Sequence, residues 1–118
     1  MSFEIWDIGV AYFPNQEDNS KNTVRLAIVI DDLGDKFTLC PLTKRLHQEI
    51  HYKYTIQIDL DSKEGVAMKL EFSSLLLFDR LFDLPKNRLL NKKGRCPDSL
   101  IEKIEELLEE MKSNKDYR

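Results

Sequence analysis

Histidine and cysteine are scarce in this 118-residue sequence, two of each, and no stretch approaches the ~18 to 20 apolar residues that a membrane-spanning helix needs. Cys40 and Cys96 stand far apart, with neither a CxxC pair nor the dense spacing of a disulfide scaffold, so both read as ordinary buried or half-buried thiols. His47 and His51 are spaced to share a helical face, but a metal site needs a third ligand and Glu49 would point elsewhere, so no metal and no cofactor is expected. The P-loop, GxGxxG, GxSxG and HExxH patterns are all missing, which removes the common nucleotide-binding and hydrolase signatures. The first six residues, Met1 to Trp6, lack a basic segment followed by an apolar one and do not read as a secretory signal, so a cytoplasmic protein with no membrane attachment is expected.

The charge is present in quantity but unevenly placed. Of all residues 33% are charged and the net charge is −3. Residues 98 to 118 hold seven acids and four bases, which accounts for the whole excess and leaves the rest of the chain with fourteen of each sign. Within that balanced part Lys86, Arg88, Lys92, Lys93 and Arg95 crowd ten residues, and Lys44-Arg45 forms a smaller cluster. Either cluster is placed to meet phosphate or to serve as solvated loop charge.

Hydrophobic pattern and turn residues predict a mainly β chain with a C-terminal helix. Ile5 to Phe13 is apolar up to Pro14, and the polar NQEDNSKN reads as a loop. Val24 to Ile30, the turn DDLGD and Phe37 to Leu42 read as a hairpin. Tyr54 to Leu60 alternates like a half-buried strand; Gly65 reads as a break, followed by β-type sequence from Val66 to Leu84, in which Leu75 to Phe78 fits either strand or helix. Pro97 and Asp98 suit a helix start, and Leu100, Ile101, Ile104, Leu107, Leu108 and Met111 repeat on one helical face, which predicts an amphipathic helix over about 97–112. Five or so strands with one helix imply a small, strongly bent antiparallel sheet or barrel.

One residue sits oddly in this pattern. Arg25 opens the apolar run TVRLAIVI, and an arginine is costly to bury without a partner. Thr43 lies at the exit of the returning strand, about as far past the turn as Arg25 lies before it, so the two are candidates for cross-strand neighbours. A guanidinium fork and a hydroxyl together make a phosphate site, while a solvent-facing Arg and Thr at strand ends is the alternative. His47, in the polar stretch after that strand, is either a solvated loop residue or a general base.

These residues resemble the MazF/PemK family, ribonuclease toxins of type II toxin-antitoxin modules. The resemblance runs from about Trp6 to Leu108. It is carried by Trp6-Asp7-Ile8 and Tyr12-Phe13-Pro14, by Arg25-Leu26-Ala27-Ile28-Val29-Ile30, by Pro41-Leu42-Thr43, and by SSLLLFDRLFDLPKNRLLNKKGRCPDSLIEKIEELL, similar to the family's closing strand, its basic connection ending in Gly, and its final helix. Trp6 stands where the family has glycine, Tyr12 where it has aspartate and Leu26 where it has proline.

The resemblance implies a single domain over 1–118 with an SH3-like β-barrel, commonly a homodimer. It implies metal-independent cleavage of single-stranded RNA (mRNA), neutralisation by a cognate antitoxin, and contact with operator DNA only through that antitoxin. The family's catalytic arginine and threonine fall on Arg25 and Thr43. A guanidinium keeps its proton near neutral pH, so Arg25 is expected to clamp phosphate and donate a proton, leaving His47, a carboxylate of the 15–22 loop or water as the base. Lys44, Arg45 and His47, with the aromatics Trp6 and Tyr12, are the expected RNA contacts; core packing is the competing role for the two aromatics. A catalytically silent barrel that binds RNA or a protein is the alternative.

Overall fold

The structure is a computed structural model and describes residues 2–14, 22–47 and 52–115. Along these residues the chain forms β1 Asp7–Pro14, β2 Asn22–Asp32, β3 Lys36–Thr43, β4 Thr55–Ile58, α1 Lys63–Ala67, β5 Ser74–Leu77, β6 Phe82–Pro85, β7 Leu89–Arg95 and α2 Asp98–Lys115. The expected hairpin is β2 and β3. Its turn closes because Gly34 adopts a left-handed φ of 96°, open to residues without a side chain. The Asp32 carboxylate accepts the Gly34 N–H at 2.9 Å, an Asx-type turn.

All the strand pairings are antiparallel, and they run in the order β4-β5-β3-β2-β1-β7 with β6 also beside β3. The order is an open path, so among the described residues hydrogen bonds do not close the sheet into a barrel. β5 and β6 share one edge of β3: Leu75 and Leu76 pair with Thr43 and Leu42, a 3₁₀ turn spans Phe78–Arg80, and Phe82–Pro85 pairs with Leu39 back to Lys36.

Period-two alternation divides the apolar residues between two faces. Ile8, Ile28, Cys40, Leu42 and Leu76 point to one side and meet Leu100 and Ile104 of α2. Ala11, Ala27, Val29, Leu39 and Phe37 point to the other and form a smaller cluster with Leu84 and Leu89. The C-terminal helix is where the periodicity placed it, and the Pro97 carbonyl accepts the Leu100 and Ile101 N–H groups at 3.0 Å.

Three expectations about elements change. Gly65 does not break the chain: it is buried inside α1, where an added Cβ would collide with the Asp59 carbonyl oxygen. Val66 and Ala67 are consequently helical, and strand structure resumes only at Ser74. The basic stretch after Leu89 is no loop but β7, paired with β1. The β4 strand stops at Ile58, leaving Leu60 exposed in a turn.

Candidate active site

β2 and β3 part at one end, and a cleft opens there. Their ladder runs from Asp32↔Phe37 to its last pair, Ala27↔Pro41, whereas β3 itself continues through Leu42 and Thr43, which pair along its other edge with β5. Carried two residues further, the same register would set Arg25 opposite Thr43. Both residues line the resulting cleft of about 530 Å³, together with Val24, Leu26, Leu42, Lys44 and Arg45 from the same two chain segments. Thr43 is 9% exposed, and its Oγ1 accepts the Arg45 N–H at 3.2 Å, so the hydroxyl proton is what the group has left to donate.

The opposite wall comes from the chain after α1. Leu70 N–H bonds to the Gly65 carbonyl and Lys69 N–H to the Val66 carbonyl, both at 3.1 Å, with Lys69 at φ 58°. This is a Schellman termination with lysine in the left-handed position that glycine commonly fills. It turns Met68, Lys69, Leu70, Glu71 and Phe72 along the cleft.

β7 supplies a further cation. Ile8 pairs with Gly94 and Val10 with Leu90, so Asn91, Lys92 and Lys93 stand against Gly9 alone. Such a bulge re-aims side chains, and here it separates two neighbouring lysines. Lys93 lines the cleft, while the Lys92 ammonium lies 3.0 Å from Asp7 Oδ2. Gly94 permits the approach, since a Cβ there would come 3.0 Å from the Met68 carbonyl oxygen.

Among the described residues the cleft is therefore lined by Arg25, Lys44, Arg45, Lys69 and Lys93 against a single acid, Glu71. Among the described residues none of those five cations forms an ion pair, whereas Lys86 pairs with Asp32 at 2.8 Å and Arg95 approaches Asp7 at 3.4 Å. Of the large basic cluster read from the sequence, only Lys93 among the described residues lines this cleft. Unpaired positive charge in a concave site draws anions. The same walls carry Val24, Leu26, Met68 and Phe72, surface suited to rings rather than to phosphate.

The other predicted residues fall in different places. Tyr12 is half-buried and pairs with Val24, one strand away from the cleft wall. Trp6 packs against the main core, and its backbone is held left-handed, φ 78°, by its N–H on Val29 O at 2.7 Å and by Cys96 N–H on its own carbonyl at 2.9 Å. His47 is exposed just past β3 and does not line the cleft. The loop carboxylates at 17 and 18, and His51, lie outside the described residues. Lys69, Glu71 and Phe72 were missed by sequence reasoning, and Lys93 was singled out only as one of a basic cluster placed to meet phosphate.

A model of PemK-like, MazF-like toxins of type II toxin-antitoxin systems matches residues 4–111. The chain belongs to this family. No curated protein matches it significantly. No helix among the described residues of this PemK-like chain is long and apolar enough to cross a membrane. The left-handed backbone at Trp6 explains why glycine suits that place in the family pattern: glycine reaches positive φ without steric cost.

Three titratable groups of the PemK-like core are perturbed. Burial pushes the Asp7 carboxyl up, but the Glu4 N–H at 2.7 Å, Lys92 and Arg95 outweigh it and hold the group below the ordinary carboxylate range. Burial raises the Cys40 thiol well above its ordinary value and pushes Cys96 up to about 12. Both thiols are thereby inert at neutral pH.

Proposed function

We propose that the cleft is the active site of an endoribonuclease toxin that cuts single-stranded RNA without a metal ion. The observation that supports this reading is that Arg25 and Thr43 line one cleft which, among the described residues, carries four more cations and one acid. The 2′-hydroxyl of the RNA attacks the adjacent phosphorus in line. Its new P–O bond forms as the bond to the 5′-oxygen breaks, leaving a 2′,3′-cyclic phosphate and a free 5′-hydroxyl. Charge builds on the non-bridging oxygens during this step, and fixed donors there lower the barrier. Arg25 clamps those oxygens through its planar fork, and Thr43 donates its hydroxyl proton to the same centre.

Arg25 also protonates the departing 5′-oxygen. The 2′-hydroxyl proton passes to Glu71, the one carboxylate among the described residues lining the cleft, and is returned through water. Lys44, Arg45, Lys69 and Lys93 hold the flanking phosphates. His47 and Trp6 have no part in this scheme, and Tyr12 stands beside the Val24 wall.

The family reading further proposes a single-domain, cytoplasmic protein whose sheet is a version of the SH3-like barrel left open between β4 and β7. The same reading makes it a homodimer, silenced by a cognate antitoxin laid over the cleft and reaching operator DNA only through that antitoxin. The rival reading is a silent RNA-binding member of the same fold. The two separate when purified protein and an Arg25→Ala variant are incubated with a long single-stranded RNA in EDTA. Cleavage by the wild type alone is expected; RNA left equally intact by both would defeat the enzyme reading.

A further inference from the structure

Phe72 is large, aromatic and 55% exposed. A ring left in water needs a reason when it sits in a cleft of cations. Its surroundings are ordered: the Lys44 ammonium lies 5.0 Å from the ring centroid, within cation–π range. The chain that follows it is tied down. Ser74 donates its hydroxyl to the Phe72 carbonyl at 2.9 Å, and Ser73 Oγ accepts the Leu60 N–H at 2.8 Å. The ring is thus exposed yet held by a fixed segment, beside the phosphate-binding cations, at the wall formed by the Schellman turn.

We infer that Phe72 is a stacking platform for an unpaired base of the bound RNA, with Lys44 holding a phosphate next to that base. The inference rests on the ribonuclease reading of the cleft and extends it by assigning a base subsite that is separate from the Arg25 and Thr43 centre. A flat, apolar ring accepts the face of any base, whereas the lysines around it read only the backbone. The platform fixes which nucleotide lies flat at one side of the scissile phosphate, and so sets the register of the strand. Its contribution is to binding and alignment, because the ring carries no group that can move a proton.

The test uses two uncleavable 2′-O-methyl single strands of equal length: a mixed-sequence strand bearing all its bases, and an abasic strand with the same phosphates. Binding to each is measured for the wild type, Phe72→Ala, Phe72→Trp and Lys93→Gln. Phe72→Ala is expected to weaken binding of the base-bearing strand by roughly 5- to 100-fold and to leave abasic binding unchanged. Phe72→Trp should restore the affinity, and Lys93→Gln should weaken both strands alike. Retained abasic binding by Phe72→Ala also shows that the variant is folded. Equal binding of the base-bearing strand by wild type and Phe72→Ala overturns the platform alone, leaving the ring to a protein contact. Equal weakening on both strands overturns it too, by making the ring a structural support. A wild type that binds neither strand overturns the RNA reading of the cleft and the platform with it.

Discussion

Arg25 and Thr43 line one cleft from neighbouring strands, two residues beyond the last hydrogen-bonded pair of their ladder, Ala27 and Pro41. The parting of the strands is what makes the pair useful: a continued ladder would leave no room for a phosphate between them. At Arg25 β2 is paired with β1 through Ala11, while Thr43 is paired with β5 on the far edge of β3, so both backbones stay anchored where the two strands part. Arg25→Ala is expected to lower kcat on the order of 10²- to 10³-fold, the usual loss for a fixed donor at a developing charge. Thr43→Val should cost about 10- to 100-fold, and Thr43→Ser should recover most of it. Steady-state kinetics on a fluorogenic RNA reads all three.

Lys92 and Lys93 are adjacent in the chain and opposite in role. Lys92→Gln removes a partner of the nearly buried Asp7 and should lower stability while leaving RNA affinity close to wild type. Lys93→Gln should leave the unfolding midpoint in place and weaken RNA binding. It should also reduce the slope of log affinity against log salt by about 0.7, the change expected when one fewer phosphate of a single strand is neutralised. Urea unfolding and binding titrations at several salt concentrations distinguish the two. An identical response from both lysines would contradict the bulge assignment.

How much of this was legible in the sequence depends on which wall is considered. The Arg25 and Thr43 wall was, because the hairpin turn is signalled by DDLGD and counting outward from it brings the two residues level, even with the bulge after Val29. The opposite wall was not. It depends on a five-residue helix that hides its glycine at a close backbone approach and ends on a lysine in a conformation usually marked by glycine, so each local signal pointed away from the outcome. Lys93 was readable as part of a basic cluster, but only the pairing of β7 with β1 decides that it faces the cleft and Lys92 does not. Trp6 illustrates the reverse case, where the family pattern has glycine and the left-handed backbone supplies the physical reason.

Asp7 makes stability pH-dependent in a defined direction. Its carboxyl titrates below its ordinary value when folded, so its contribution is complete above the unfolded value near 4 and is lost as pH falls through the lower folded one. Asp7→Asn is expected to cost about 1–3 kcal/mol at pH 7, with the difference from wild type shrinking below about pH 4. Urea midpoints measured from pH 7 to pH 2 check the sign. A gap that widens on acidification would contradict it.

Glu71 offers a kinetic test of the proton route. Glu71→Gln removes the cleft's one described acid, so RNA binding should hold or tighten through reduced repulsion. The same change should lower kcat by about 10²-fold, the low end for loss of a general base. Unchanged kcat would return the proton to water.

The most direct measurement of the central claim is the chemistry of the cut ends. A single-stranded RNA is cleaved in EDTA beside a copy carrying one 2′-deoxy nucleotide immediately 5′ of the scissile phosphate, and the products are analysed by mass spectrometry. A 2′,3′-cyclic phosphate and a 5′-hydroxyl, with the deoxy strand uncut at that site and Arg25→Ala inactive, is the predicted result. A 3′-hydroxyl with a 5′-phosphate, or cleavage of the deoxy strand at the same position, would contradict the account.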